Sequence, residues 1–290
     1  MSFEEILEHL LARDYWEGEL VHTKRSGEKV IVESRWALQR DEAGKPSQVL
    51  EINTDITERK RQEELRERFI ADAAHELRTP LTTLLGFTEV LASGDGLDGP
   101  AMDLAFEAMS RAGRRMAVLV NNLLDLSKLS AGRVPIELKE VQAILIAKDA
   151  LGGAPPPEGV SVHVHIADDV VVIGDLDRLA QVVSNLLVNA YRYGGANVTI
   201  DARRTGRYVV LSVCDDGPGV DPELVPTMFE PFSRSVESSQ LGGSGLGLAI
   251  VKNLTEACGG SVRYSCADSG GACFDLVLRG GGHGSDPRGG

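Results

Sequence analysis

The sequence predicts an α+β protein of several domains, and three observations carry the prediction. Short alternating runs near the N-terminus read as antiparallel strands. A long stretch with apolar residues three and four apart reads as a helical hairpin. Residues 134 to 279 alternate strand-like and helical runs with glycine-rich loops, the pattern of a mixed α/β domain. The boundaries that follow are a strand-rich segment over 1–57, a helical connector over 58–69, a hairpin over 70–132, an α/β domain over 133–279 and a low-complexity tail over 280–290.

Composition bounds the function. A chain of 290 residues accommodates about two domains at roughly 150 residues each, and 42% hydrophobic with 25% charged residues is ordinary for a folded protein. The formal net charge of −13 argues against nucleic acid as a partner, because phosphate-backbone affinity needs clustered Lys and Arg. Apolar runs such as Ala143 to Ala147 and Val170 to Ile173 fall far short of the ~20 residues that span a bilayer, and Met1 opens no signal peptide. The expectation is a cytoplasmic chain with no membrane segment. Cys214, Cys258, Cys266 and Cys273 form no CxxC pair and are expected to be reduced packing residues.

In the first segment the strand-like runs are Gly18 to His22, Val30 to Trp36 and Gln48 to Asn53, with turn signals at Ser26-Gly27 and between Asp41 and Pro46. The charged run DITERKRQEEL, residues 55 to 65, then switches to helix formers. This resembles the C-terminal half of a PAS sensor domain, whose last strand commonly ends in a DITERK-like sequence. The resemblance implies a partial PAS-like unit whose ligand-pocket half is missing or heavily modified.

From Ile70 the apolar positions Ala74, Leu77, Leu81, Leu84 and Leu91, with Thr88 in the remaining slot, alternate by fours and threes. A second series runs Met102, Ala105, Met109, Ala112, Met116, Leu119, Leu123 and Leu126 after the turn-rich stretch at 93–100. One hairpin offers too little surface for both stripes, so a homodimer closing a four-helix bundle is expected. Upstream the phase breaks, with Glu63 and Glu67 in the seam slots.

His75 follows the seam residue Ala74 and is therefore expected to be exposed, with Thr79 four residues on. Pro80 removes an N–H and crowds the carbonyl of Glu76, which predicts a kink beside the histidine. A lone surface histidine needs no function. The run HELRTPL, however, resembles the phospho-acceptor box of the largest histidine-kinase class. The resemblance implies that His75 is the nucleophile and phosphate carrier, that Glu76 is the general base, and that Thr79 positions water for phosphatase chemistry. Neutral imidazole has a lone pair for in-line attack, and a nearby carboxylate can take its proton.

Residues 174 to 195 carry Asp175 as N-cap and an apolar stripe at Leu176, Leu179, Val183, Leu186, Leu187 and Ala190, opposite Arg178, Gln181, Asn185, Asn189 and Arg192. Carboxamides on such a face are neutral oxygen ligands for a hard cation balanced by phosphates. The run resembles the asparagine box of the GHKL ATPases. By that resemblance Asn189 ligates Mg²⁺, Asn185 supports the phosphates, Arg192 contacts them, and Tyr193 lies against the nucleotide.

The strand predicted over Tyr208 to Cys214 runs into DDGPGV, residues 215 to 220, and FEPF follows at 229 to 232. In the same family Asp215 would bind the adenine amino group, while Gly217 and Gly219 let backbone approach the base. Phe229 would open the phenylalanine box, and Arg234 resembles the basic residue that reaches a phosphate. GGSGLGLAIVKNL, residues 242 to 254, resembles the ATP lid and second glycine box, with Gly243, Gly245, Leu246 and Gly247 at the nucleotide. Cys258 stands where relatives often have histidine and is expected only to pack.

The resemblance covers roughly residues 66 to 279. It implies a dimeric hairpin followed by an α/β-sandwich GHKL (Bergerat) ATP-binding domain, in a sensor histidine kinase of a two-component system. ATP and Mg²⁺ are the implied cofactors, and a response-regulator receiver domain is the implied partner. The alternatives are a GHKL ATPase without phosphohistidine chemistry, which would need no histidine box, and a dimeric nucleotide-binding scaffold without phosphotransfer.

Overall fold

The computed structural model describes residues 2–93, 99–130, 134–233, 244–267 and 270–282. The chain divides into two compact units, Met1–Ala71 and Asp72–Gly290.

The first unit opens with a helix, α1 (Phe3–Arg13), where the sequence reading expects strands alone. Ser2 caps it: its hydroxyl accepts the Glu5 N–H while the Glu5 carboxylate accepts the Ser2 N–H. Ile6 and Leu10, four apart, point inward, and Asp14 with φ 58° turns the chain into β1 (Tyr15–Thr23). Strands β1, β2 (Lys29–Arg40) and β3 (Pro46–Asp55) form an antiparallel sheet in that order. Trp16 stands opposite Trp36 in the register, and both pack against Ile6 and Leu10. The next helix, α2 (Thr57–Ser93), is tied to the sheet at its start. The Thr57 hydroxyl accepts the Ile31 N–H at 2.9 Å, and Lys60 pairs with Glu19 at 2.7 Å.

In the second unit α2 continues without a break through Pro80, which is buried, although a proline contributes no N–H to the helix ladder. Thr82 and Thr83 donate their hydroxyls back to the carbonyls of Arg78 and Thr79 at 2.9 and 3.2 Å. Helix α3 (Gly99–Ser130) buries Ala105, Ala112, Leu119 and Leu126, each seven residues from the last. The expected loop between the helices lies mostly outside the described residues.

Beyond the hairpin come β4 (Lys139–Gln142), α4 (Ala143–Gly153), β5 (Ser161–Ile166), β6 (Val171–Gly174) and α5 (Leu176–Tyr193). They are followed by β7 (Asn197–Thr205), β8 (Tyr208–Asp215), α6 (Gly247–Ala257), β9 (Ser261–Cys266) and β10 (Ala272–Gly280). The seven strands form one sheet in the order β4-β6-β10-β8-β7-β5, with β9 also on β10; only β5 and β7 run parallel. Alternation decides the faces. Ile200, Val213 and Leu211 with Leu276 and Leu278 point to one side, where they are buried with Ile146, Leu179, Leu186 and Ile250 of the helices.

One expectation is corrected. Cys214 and Cys273 stand opposite each other on β8 and β10 and are joined as a disulfide, so these two are not reduced packing residues. Pairing of strands 59 residues apart brings them together, which residue spacing does not reveal. Cys258 is a buried thiol and Cys266 an exposed one. Burial pushes the Cys258 thiol upward.

Candidate active site

Helix α5 is the wall on which the site is built. Asp175 caps it, its Oδ1 accepting the Arg178 N–H at 3.2 Å, and the stripe Leu179, Val183, Leu186, Leu187 and Ala190 is buried. This anchors the opposite stripe. Gln181 donates to the Asp125 carboxylate of α3 at 2.9 Å, and Asn185 donates its Nδ2 to the Gln181 carbonyl at 3.1 Å. The Asn185 and Asn189 amides both face Gly247 at the start of α6: a Cβ built on Gly247 would lie 3.8 Å from Asn185 Oδ1 and 3.7 Å from Asn189 Oδ1.

Asp215 takes its position from the strand. On β8 the inward side chains are Val209, Leu211 and Val213, so Asp215 occupies the next inward slot at the strand end and is buried. Its Oδ1 accepts the Gly217 N–H at 2.9 Å and the Ala272 N–H at 3.2 Å, which fixes the carboxylate. Two backbone approaches make room for it. A Cβ on Gly194 would lie 2.7 Å from Asp215 Cβ, and one on Gly271 would lie 1.9 Å from the Asp215 carbonyl oxygen. Asp216 turns outward and accepts both the backbone and side-chain N–H groups of Asn197, at 2.9 and 2.7 Å. The Asn197 side-chain bond, with its backbone bond, holds the Asp216 carboxyl below the usual carboxylate range.

A cavity of about 790 Å³ opens between these elements and α3. Of the residues singled out from sequence it is lined by Asn185, Asn189, Arg192, Tyr193, Asp215, Gly219, Gly245 and Gly247. The Arg192 guanidinium lies 5.9 Å from the centre of the Tyr193 ring. Gly217 supports Asp215 without lining the cavity. Phe229 stands behind it, edge-on to the lining residue Phe274 at 6.4 Å. Leu246, the N-cap residue of α6, is fully buried and is not part of the lining. Phe232 donates its N–H to the Gly245 carbonyl at 2.9 Å, so the chain leaving the phenylalanine box meets the chain re-entering at the glycines. Arg234 and Gly243 lie outside the described residues.

His75 and Thr79 are exposed on α2, one turn apart, and Glu76 between them is half-buried; none of the three lines the cavity. The sequence reading does not single out the hairpin residues Arg114, Arg115, Val118 and Asn122 that line it, and it places Leu119, which also lines it, in the bundle seam alone. It also passed over Gly271 and Ala272, which hold Asp215.

The residues fit a magnesium–nucleotide complex. Neutral amide oxygens at Asn185 and Asn189, with cationic Arg114, Arg115 and Arg192 nearby, suit a hard cation whose remaining oxygens come from phosphates. Among the described residues no cluster of three His, Cys, Asp or Glu side chains forms an all-protein metal cage.

Comparison with known proteins places two stretches of the chain in known families. Residues 174–281 match the family of histidine kinase-, DNA gyrase B-, and HSP90-like ATPases, and residues 65–132 match the His Kinase A (phospho-acceptor) domain. The chain thus carries the domain pair of a protein histidine kinase. It is similar to the sensor histidine kinase TrcS of Mycobacterium tuberculosis, 41% identical over 67% of this chain and 40% of TrcS. It is also similar to the sensor histidine kinase WalK of Bacillus subtilis, 29% identical over 89% of this chain and 44% of WalK. The chain therefore spans less than half the length of these curated relatives. Among solved structures, histidine kinase ThkA in complex with response regulator protein TrrA shares the fold, with a TM-score of 0.58 at 21% identity over 95% of this chain and 82% of that one.

Proposed function

We propose that the chain is the kinase part of a two-component sensor histidine kinase that phosphorylates its own His75 from ATP. The observation that carries this reading is the cavity walled by Asn185, Asn189 and Asp215 on one side and by α3 of the histidine-bearing hairpin on the other. Asp215 would take the adenine amino group, Arg192 and the glycines at 245 and 247 the phosphates, and Asn189 the magnesium. Magnesium bound there would neutralise charge on the phosphate oxygens. An imidazole nitrogen of His75 attacks the terminal phosphorus, the N–P bond forms as the bond to the β–γ bridging oxygen breaks, and ADP leaves. Glu76 takes the imidazole proton.

The phosphoryl group then passes to an aspartate of a response-regulator receiver domain. Thr79, one turn beyond His75, orients water for the reverse task of dephosphorylating that regulator. A second copy of the chain closes the bundle, and the exposed Ile70, Leu81 and Leu85 of α2 are the surface it would cover. The three-stranded sheet with α1 acts as a partial PAS-like input unit. No helix among the described residues is long and apolar enough to cross a membrane. The proposed compartment for ATP-dependent phosphorylation and transfer to a receiver domain is the cytoplasm.

Incubation with γ-labelled ATP and Mg²⁺, then with purified receiver domains, tests the reading. Label appears on the chain and moves to a receiver. With Thr79→Ala the chain still labels, but a labelled receiver loses its phosphate several-fold more slowly. Nucleotide binding with no label on the chain would instead favour the scaffold reading.

A further inference from the structure

Arg115 touches both halves of the chemistry. It lies on α3, lines the nucleotide cavity, and sets a guanidinium nitrogen 3.9 Å from the Glu76 carboxylate. Its neighbour Arg114 also lines the cavity but donates to Ser110 of its own helix at 2.7 Å. The Arg115 side chain is 45% exposed and Glu76 20%, so the pair is a weak, exchangeable ion pair and not a buried bridge.

A nucleoside triphosphate, even with its magnesium bound, brings net negative charge into this cavity, and a guanidinium binds phosphate oxygens through paired, charge-assisted hydrogen bonds. It is a stronger competitor for Arg115 than one carboxylate. We propose that Arg115 is a positioning residue that exchanges partners, from the Glu76 carboxylate in the empty site to the phosphates in the filled one. The exchange shifts the Glu76 carboxylate toward the His75 imidazole when the phosphoryl donor is present. The inference rests on the histidine-kinase reading above and adds to it the step by which nucleotide occupancy reaches the base.

The exchange makes a specific prediction, because Glu76 and the nucleotide compete for one side chain. Affinity of the full chain for Mg²⁺ with the β,γ-imido analogue of ATP is measured by calorimetry, and affinity for adenosine by NMR titration. Arg115→Ala weakens the analogue roughly tenfold, the worth of one charge-assisted hydrogen bond, and leaves adenosine unchanged. Arg115→Lys recovers most of the loss. Glu76→Gln tightens the analogue about threefold when Arg115 is present and has no effect in the Arg115→Ala background.

A merely structural Arg115 would weaken adenosine and analogue alike, and that result overturns the inference. So does a Glu76→Gln variant whose affinity equals that of the wild type. If the wild-type chain does not bind the analogue at all, the histidine-kinase reading falls and this one with it; normal binding without the Glu76 effect removes this one alone.

Discussion

Gly271 faces the carbonyl oxygen of Asp215 so closely that a Cβ on it would lie 1.9 Å away. The clash is between the added Cβ and backbone atoms of Asp215, so no rotamer change relieves it. The next residue, Ala272, donates its N–H to the Asp215 carboxylate. Gly271→Ala therefore pushes β10 away from β8 at the point where both hold the Asp215 carboxylate, the proposed adenine contact. The expected result is a loss of nucleotide affinity of tenfold or more, with the circular dichroism spectrum little changed. Unaltered affinity would show that Asp215 does not depend on this approach.

Asn189→Ala removes an amide from the polar stripe of α5 and no core contact, since Asn189 is only half-buried while its neighbours Leu186, Leu187 and Ala190 carry the packing. Mg²⁺-dependent ATP use should disappear while the melting temperature moves by no more than a few degrees. Unchanged autophosphorylation would take the metal role away from Asn189.

The start of α2 is fastened to the sheet by Thr57 and Lys60, and the helix runs unbroken to Ser93. Residues inserted between 58 and 69 should therefore turn whatever precedes them relative to His75. At ~3.5 residues per coiled-coil turn, the kinase-to-phosphatase ratio should vary periodically with insertion length, and a full heptad should restore the starting value. A monotonic decline, or indifference to length, would make the connector a passive tether.

How far these features are legible in the sequence depends on how local their causes are. The polar and apolar stripes of α5 are set by one helix period, so Asn185, Asn189 and the buried Leu186 and Leu187 can be read directly. Asp215 is legible from its motif, and the inward alternation Val209, Leu211, Val213 supplies the physical reason for its direction. Helix α1 is not among the sequence expectations although Ser2 and Glu5 spell its capping box, because the strand-like runs just beyond it dominate the segment. The Cys214–Cys273 pairing, the Gly271 approach and the Arg115–Glu76 ion pair depend on strand register and helix placement across tens of residues. No local pattern encodes them.

The central claim is that His75 is the atom-level acceptor of the phosphoryl group. It is tested by incubating wild type and His75→Gln with γ-labelled ATP and Mg²⁺, then exposing the products to acid and to base. The account predicts label on the wild type alone, lost in acid and kept in base as a phosphorus–nitrogen bond requires. Equal labelling of His75→Gln, or a product stable to acid and lost in base, would contradict it.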